Sequence, residues 1–485
     1  MDRERLRREL EELLGPGGVL HRPEDVLLYE YDGSLDRARP DFVVFPRTTA
    51  QVAGIVRLAN HHRIPFMPRG AGTGLSGGVV PVEGGIVVAF TRMREILAID
   101  LANRLAVVQP GVVNIEISEA VAAEGFYFVP DPSSQRSCTI GGNVAENSGG
   151  PHCLAYGVTA NHVLGLEIVT PEGDTVEVGA MTADVPGYDL TGLVVGSEGT
   201  LGLVTKVIVR LEYRPEAVKT LLAVFDSIGA ASEAVSAIIA SGTIPAALEM
   251  MDNLAIRAIK AAKQCGYPTD ADAVLLIDVE GLRDGLEETA AAVANHCWAT
   301  GAREVREART ELEREKLWSG RKGAFGAMGR ISRSYYVQDG VIPRTRLPDV
   351  LRRVADISHE FGFRIANVFH AGDGNLHPLI LFDETDPEQV RGVVRAGTEI
   401  LKACVEAGGS ISGEHGIGLE KRDDMVYLFA PADLVVQRMV RDALNPDGRC
   451  NPGKVLPIAK ACYEVGRRHR RLPAALIEEH RLAPE

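Results

Sequence analysis

The stretch that most limits what this chain can fold into is Pro68, Arg69, Gly70, Ala71, Gly72, Thr73, Gly74, Leu75, Ser76, Gly77 and Gly78, with five glycines in its last nine residues. So dense a glycine run makes a poor helix or strand, because glycine loses the most freedom on ordering. It suits a loop whose backbone amides approach a ligand closely, and rows of such amides form concave anion sites. A phosphate is the natural guest. Residues 72–77 also spell G-x-G-x-x-G, but the dinucleotide version of that motif needs a helix opening there. Here Val79, Val80 and Pro81 read as extended and residues 86–90 as a further strand. There is no Lys-Ser/Thr pair after the glycines, so the run is not a P-loop either.

Two more glycine clusters share this setting. Residues 131–134 lead into 139–150, and residues 196–202 precede a strand at 203–211. Three loops, each beside a strand, can line one long groove and take an elongated cofactor with a diphosphate. Thr73, Ser76, Ser133, Thr139, Asn143 and Ser148 offer short polar side chains to ribityl or phosphate oxygens. Around them the pattern predicts an amphipathic helix over 1–14 and strands at 42–45, 64–67 and 163–170. A helix over 50–62 is expected, with Thr49 as its cap.

Tyr213, Arg214 and Pro215 mark a boundary. Beyond it, strands at 219–225, 246–250 and 273–280 alternate with helices at 228–241, from Asp252 to about 264, and 285–300. The rhythm predicts an α+β fold: a cap domain over 216–445 with an antiparallel sheet, and a first domain over 1–215 completed by 446–485. A charged helix over 311–330 places Arg321 at helical spacing after Trp318. A lone Arg is commonly a solvated charge; the alternative is a bidentate partner for a substrate carboxylate. Helices are expected at 347–361 and 387–406.

Between those two helices lies His370-Ala-Gly-Asp-Gly-Asn-Leu-His377, a glycine-bearing turn between apolar flanks. A hairpin here puts both imidazoles at one rim. They either bond a tight turn or hold a borderline metal such as zinc, cobalt or manganese. Glu414 and His415 follow, with Gly413 before them and Gly416 after. In extended chain neighbouring side chains diverge, so Glu414 can turn to a metal while His415 faces another part of the cleft. His370, His377 and Glu414 form a His₂Glu set, for which zinc is typical.

Composition excludes several classes. The 485 residues carry a net charge of −14, which speaks against a nucleic-acid surface or an anionic membrane patch. Apolar runs such as 273–277 fall far short of the ~18–20 residues that span a bilayer. The charged N-terminus lacks the apolar core of a signal peptide. Seven scattered cysteines suggest reduced thiols in the cytoplasm and supply no iron–sulfur motif. The tail containing Arg467, Arg468, Arg470 and Arg471 reads as a solvated helix end.

The three glycine clusters resemble the FAD-binding domain of the vanillyl-alcohol oxidase/p-cresol methylhydroxylase flavoprotein family. The resemblance implies a two-subdomain FAD-binding domain. The run 68–78 would hold the diphosphate, and Pro132, Ser133, Thr139, Gly142, Asn143, Ser148, Gly149 and Gly199 would line the flavin and ribityl chain. Val79 directly after the glycine pair speaks against a covalent link there. Cys138, Cys153 and His152 lie near the second cluster; the two thiols read as packing residues, and FAD is expected to be non-covalent.

The segments 318–321, 336–343, 370–377, 413–418 and 451–454 are similar to FAD-linked D-2-hydroxy-acid dehydrogenases, and the likeness spans about residues 20–457. It implies that Arg321 docks the substrate carboxylate, that His370, His377 and Glu414 hold a divalent metal, and that His415 is the general base. It also implies hydride transfer to flavin N5 and places Asn451 near the flavin edge. Dicarboxylate-using relatives carry Lys and Asn where this chain has Val337 and Leu379, so glycolate or D-lactate is expected. In glycolate-oxidising relatives a second flavin subunit and an iron–sulfur subunit take the electrons, which would bring a cytoplasmic protein to a membrane only through partners. A D-lactate dehydrogenase acting alone is one alternative. A zinc hydrolase with merely structural glycine loops is the other.

Overall fold

The computed structural model describes residues 2–183 and 185–458. The basic tail and most of the expected C-terminal return lie outside that range. The chain divides into two compact units. The first comprises the chain up to Gly149, Val158–Arg214 and the return from Glu414; the second comprises Gly150–Gly157 and Pro215–Gly413. The return thus begins at Glu414, where the sequence pattern suggested residue 446, and Gly150–Gly157 goes with the second unit.

In the first unit, helix Arg3–Leu14 is capped by Asp2 and buries Leu6, Leu10 and Leu14. That stripe shares a core with Val52, Ile55, Val56 and Ala59 of helix Thr49–His62. Thr48, not Thr49, caps this second helix through the Gln51 amide, while Thr49 donates to Glu167 at 2.6 Å. Both helices lie with a four-stranded sheet ordered Val19–Leu20, Phe42–Val44, Ile86–Ala89, Phe66–Arg69. The last three strands run parallel, and Ile86–Ala89 is buried at every residue, as a strand covered on both faces must be. A second sheet, antiparallel, is ordered Ile96–Asp100, Leu105–Val108, Leu203–Arg210, Val163–Val169, Thr175–Gly179. Two sheets with separate cores give the expected two subdomains.

One expected loop is largely a helix. Ile140–Glu146 forms despite Gly141 and Gly142, because Thr139 caps it at the Gly142 amide and Asn147, at φ +54°, ends it. Ile140 and Val144, one turn apart, are both fully buried, which offsets the weak helix propensity of glycine.

The second unit carries an antiparallel sheet ordered Glu304–Glu307, Ala217–Phe225, Ala273–Gly281, Ala247–Asp252, Arg364–His370, Asn375–Leu376, Gly340–Val341. Pro378–Phe382 pairs with Arg364–His370 and with Ser334–Val337. Alternation explains what this sheet does. Leu222, Val224, Val274, Leu276, Ala247, Met251, Ala366, Val368, Leu379 and Leu381 share one core. Stepping by two along the same strands leads from that core to Thr220, Asp278, Glu249 and His370, with His377 in the gap between strands Asn375–Leu376 and Pro378–Phe382. An apolar floor therefore ends in a polar row. The helix expected over 311–330 stops at Lys322 and resumes as Ala324–Ala327, with Gly323 between. Helices Leu347–Phe361 and Pro387–Glu406 have the expected bounds.

Candidate active site

Helix Glu311–Lys322 meets the polar row with one face. Arg314, Trp318 and Arg321 lie at i, i+4 and i+7. Arg314 pairs with Asp278 at 3.5 Å, and the Trp318 indole N–H donates to Asp278 Oδ2 at 2.9 Å. Arg321 is 2% exposed and turns its Nε and Nη2 to Glu249 Oε2, each at 2.6 Å. The solvated alternative for Arg321 is therefore out: it is a buried, paired charge.

Glu249 was not anticipated. Its other oxygen, Oε1, lies 2.7 Å from His370 Nδ1. Burial opposes its charge, but Arg321 and then His370 outweigh that and hold the carboxyl below its ordinary range. An ionised carboxylate only accepts, so His370 Nδ1 carries the proton and donates. The 3.5 Å approach of Arg321 Nη2 to the same nitrogen is too long to compete. A carboxylate behind a histidine is the usual backing of a metal-ligating imidazole, so this pair fits a metal ligand set.

The hairpin closes as expected, with His370 paired to Asn375 and the two imidazoles 5.2 Å apart at 82°. Gly374 makes the turn at φ +80°. His377 Nε2 lies 3.6 Å from Asp339 Oδ1. Asp339, fully buried, also accepts from Ser412 Oγ at 2.7 Å and from the Gly413 amide at 3.1 Å. Glu414 is the next residue in the chain. Its carboxylate comes within 4.0 Å of His415 Nε2, so the two side chains converge instead of diverging. The reason is local: residues 413–415 bend, and Gly416, at φ +84°, lets the chain turn. Val337 and Leu379 pair across their strands inside the apolar core.

The first unit contains a cavity walled by Pro68, Gly70 and Gly78 of the first glycine run, Thr139 and Gly142 of the second cluster, Gly199 of the third, and Asn451. Val79, Phe90, Pro110, Val194 and Val204 add apolar wall. The glycines are needed for closure: a Cβ on Gly70 would strike Thr139 Oγ1, one on Gly199 would strike Pro68, and one on Gly78 would sit 2.7 Å from Glu146 Oε1. Asn451 Nδ2 donates to Gly78 O and Glu198 O at 3.0 and 2.7 Å, while its Oδ1 is buried with no protein partner among the described residues. An orphaned acceptor beside glycine backbone and apolar side chains fits a ring N–H of a flavin.

Other expected cofactor residues are not in that wall. Arg69 donates to Tyr31 O at 3.0 Å and stacks over Tyr29. Asn143 is 2% exposed and accepts from Asn114 inside the unit. Ala71, Thr73 and Ser133 are exposed. Gly72, Gly74, Leu75, Ser76, Gly77, Pro132, Ser148 and Gly149 also lie outside the lining. Cys138 and Cys153 are in no disulfide among the described residues.

Glycine loops gathered at strand ends around one cavity, in a chain whose other unit backs a histidine with a carboxylate, are the build of a flavin-dependent oxidoreductase. Residues 40–179 match the FAD binding domain, and residues 214–455 match the C-terminal domain of FAD linked oxidases. The chain belongs to the FAD-linked oxidase family, and the hydrolase alternative falls with that membership. It is 48% identical over 452 residues to the glycolate oxidase subunit GlcD of Escherichia coli strain K12, covering 93% of this chain and 91% of that one. The Bacillus subtilis strain 168 glycolate oxidase subunit GlcD is 39% identical over 452 residues, covering 93% and 96%. In fold the chain is similar to p-cresol methylhydroxylase, with a TM-score of 0.75 at 17% identity, covering 94% of this chain and 97% of that one.

Proposed function

We propose that this protein oxidises a short 2-hydroxy acid, glycolate or D-lactate, to the 2-oxo acid. The observation that carries the reading is Glu249, which joins Arg321 to His370 and so ties a carboxylate anchor to a substrate-activating imidazole. Relatives named glycolate oxidase subunit support it. Glu249 occupies the Nε and Nη2 side of the Arg321 guanidinium, and the substrate carboxylate would dock on its Nη1 end. By the resemblance, His370, His377 and Glu414 would hold a divalent cation, zinc being typical of the set, and it would supply Lewis-acid polarisation of the substrate hydroxyl. His415 is the base that would accept the hydroxyl proton. FAD, when bound in the first unit, supplies the hydride acceptor. The electrons then leave to a partner subunit, flavin or iron–sulfur, or to a soluble acceptor. Val337 and Leu379 stand where dicarboxylate-using relatives resembling this chain carry Lys and Asn, which favours a short monocarboxylate.

A dye-linked assay tests this with glycolate, D-lactate, L-lactate and D-2-hydroxyglutarate, with and without chelator. Glycolate or D-lactate should give the highest kcat/KM, and chelation should abolish turnover. A higher kcat/KM for D-2-hydroxyglutarate sinks the substrate reading, and full activity after metal stripping sinks the metal.

A further inference from the structure

The third glycine cluster contains a residue that lines the cofactor cavity and also reaches beyond it. Glu198 adopts φ +52°, in the left-handed region that favours glycine, and its neighbour Gly199 adopts φ +67°. A bulky residue kept in such a conformation points to a use for its side chain. The Glu198 backbone is pinned at the cavity wall: its N–H donates to Ala145 O at 2.8 Å, and its O accepts from Asn451 at 2.7 Å. Its side chain serves the segment that carries His415. Oε1 accepts from the Ile417 amide and Oε2 from the Gly418 amide, each at 2.7 Å. Burial pushes the Glu198 carboxyl above its ordinary range, and these two amides offset part of that rise. The approach is close enough that a Cβ on Gly416 would strike Glu146 and come within 3.0 Å of Glu198 Oε1. A second tether follows immediately, where the Leu419 and Glu420 amides both donate to Ser76 O.

We propose that Glu198 is the positioning residue for His415, clamping the peptide just after it to the wall of the cofactor cavity. This rests on the reading of His415 as the base. One carboxylate then links cofactor site and base: the chain that walls the flavin also sets the attitude of the imidazole that takes the proton.

The test is Glu198→Gly in the FAD-loaded full chain. Glycine is at ease at this φ, so the variant relieves strain and should fold. FAD occupancy, read from visible absorbance, should be unchanged. The Ile417 and Gly418 amides should exchange with solvent at least about tenfold faster. With glycolate or D-lactate, kcat should fall about 100-fold while KM changes little, since a misplaced group costs on that order. Glu198→Gln, which keeps one acceptor oxygen, should fall between. Unchanged amide exchange overturns the clamp, and faster exchange with unchanged kcat overturns its role in positioning. Loss of FAD with the amides still protected would make Glu198 a cofactor residue instead. A wild-type protein inactive on every 2-hydroxy acid defeats the reaction reading, and the amide exchange still decides the clamp.

Discussion

At the scale of single residues, buried charge decides most. Glu249 and Arg321 are 0% and 2% exposed and hold one another. Removing one partner of such a pair leaves an uncompensated buried charge, at a cost of about 3–5 kcal/mol. Glu249→Gln should therefore lower stability by that order in denaturant unfolding and, with His370 no longer oriented, abolish turnover; a variant as stable and active as wild type would remove Glu249 from both roles. Asp252 gives a pH prediction. It caps helix Asn253–Ala262 and accepts from Asn367, and burial raises its pKa from 3.8 to about 6. Between those values the folded form binds a proton that the unfolded form has lost. Stability from this group is full below about pH 4 and falls as pH rises to about 6, by about 3 kcal/mol in all. Urea unfolding at pH 4 and pH 7 should show that loss in wild type, and Asp252→Asn should lack it.

At the scale of elements, the hairpin is the point of highest sensitivity. Gly374 sits at φ +80°, and a Cβ there would strike Ile342 O. Gly374→Ala should open the turn that brings His370 beside His377, costing about 1–3 kcal/mol and most of the activity; a thermal melt and the dye-linked assay check both. This hairpin was legible because its signals are local: a glycine turn between apolar flanks. Helices Leu347–Phe361 and Pro387–Glu406 were legible for the same reason, with Gly362 ending one and Pro387 opening the other. Glu249 was not, because its partners lie 72 and 121 residues away and meet it only once the strands are in register. A lone acid inside the apolar run 246–251 was the one available hint. Helix Ile140–Glu146 was missed because burial of Ile140 and Val144 overrode the glycine signal.

At the scale of the whole molecule, the two units carry separate cores; the cofactor cavity belongs to the first, and two of the three proposed metal ligands, His370 and His377, belong to the second, so FAD and metal should stabilise the two units unequally. Composition provides the probes. The protein has two tryptophans, Trp298 and Trp318, and both belong to the second unit. Intrinsic fluorescence thus follows the unit with the histidine pair, and release of flavin follows the unit with the glycine cavity. Free FAD at a hundred times its dissociation constant adds about 2.7 kcal/mol to the form that binds it. In a thermal melt, added FAD should raise the flavin-release midpoint more than the tryptophan midpoint. A chelator should do the converse, lowering the tryptophan midpoint and moving flavin release less, because the two histidine ligands sit on the second unit's sheet. If chelation leaves the tryptophan transition unmoved while metal analysis of the untreated protein finds none, the His370–His377 pair is a hydrogen-bonded turn. Substrate activation would then fall to Arg321 and His415 alone.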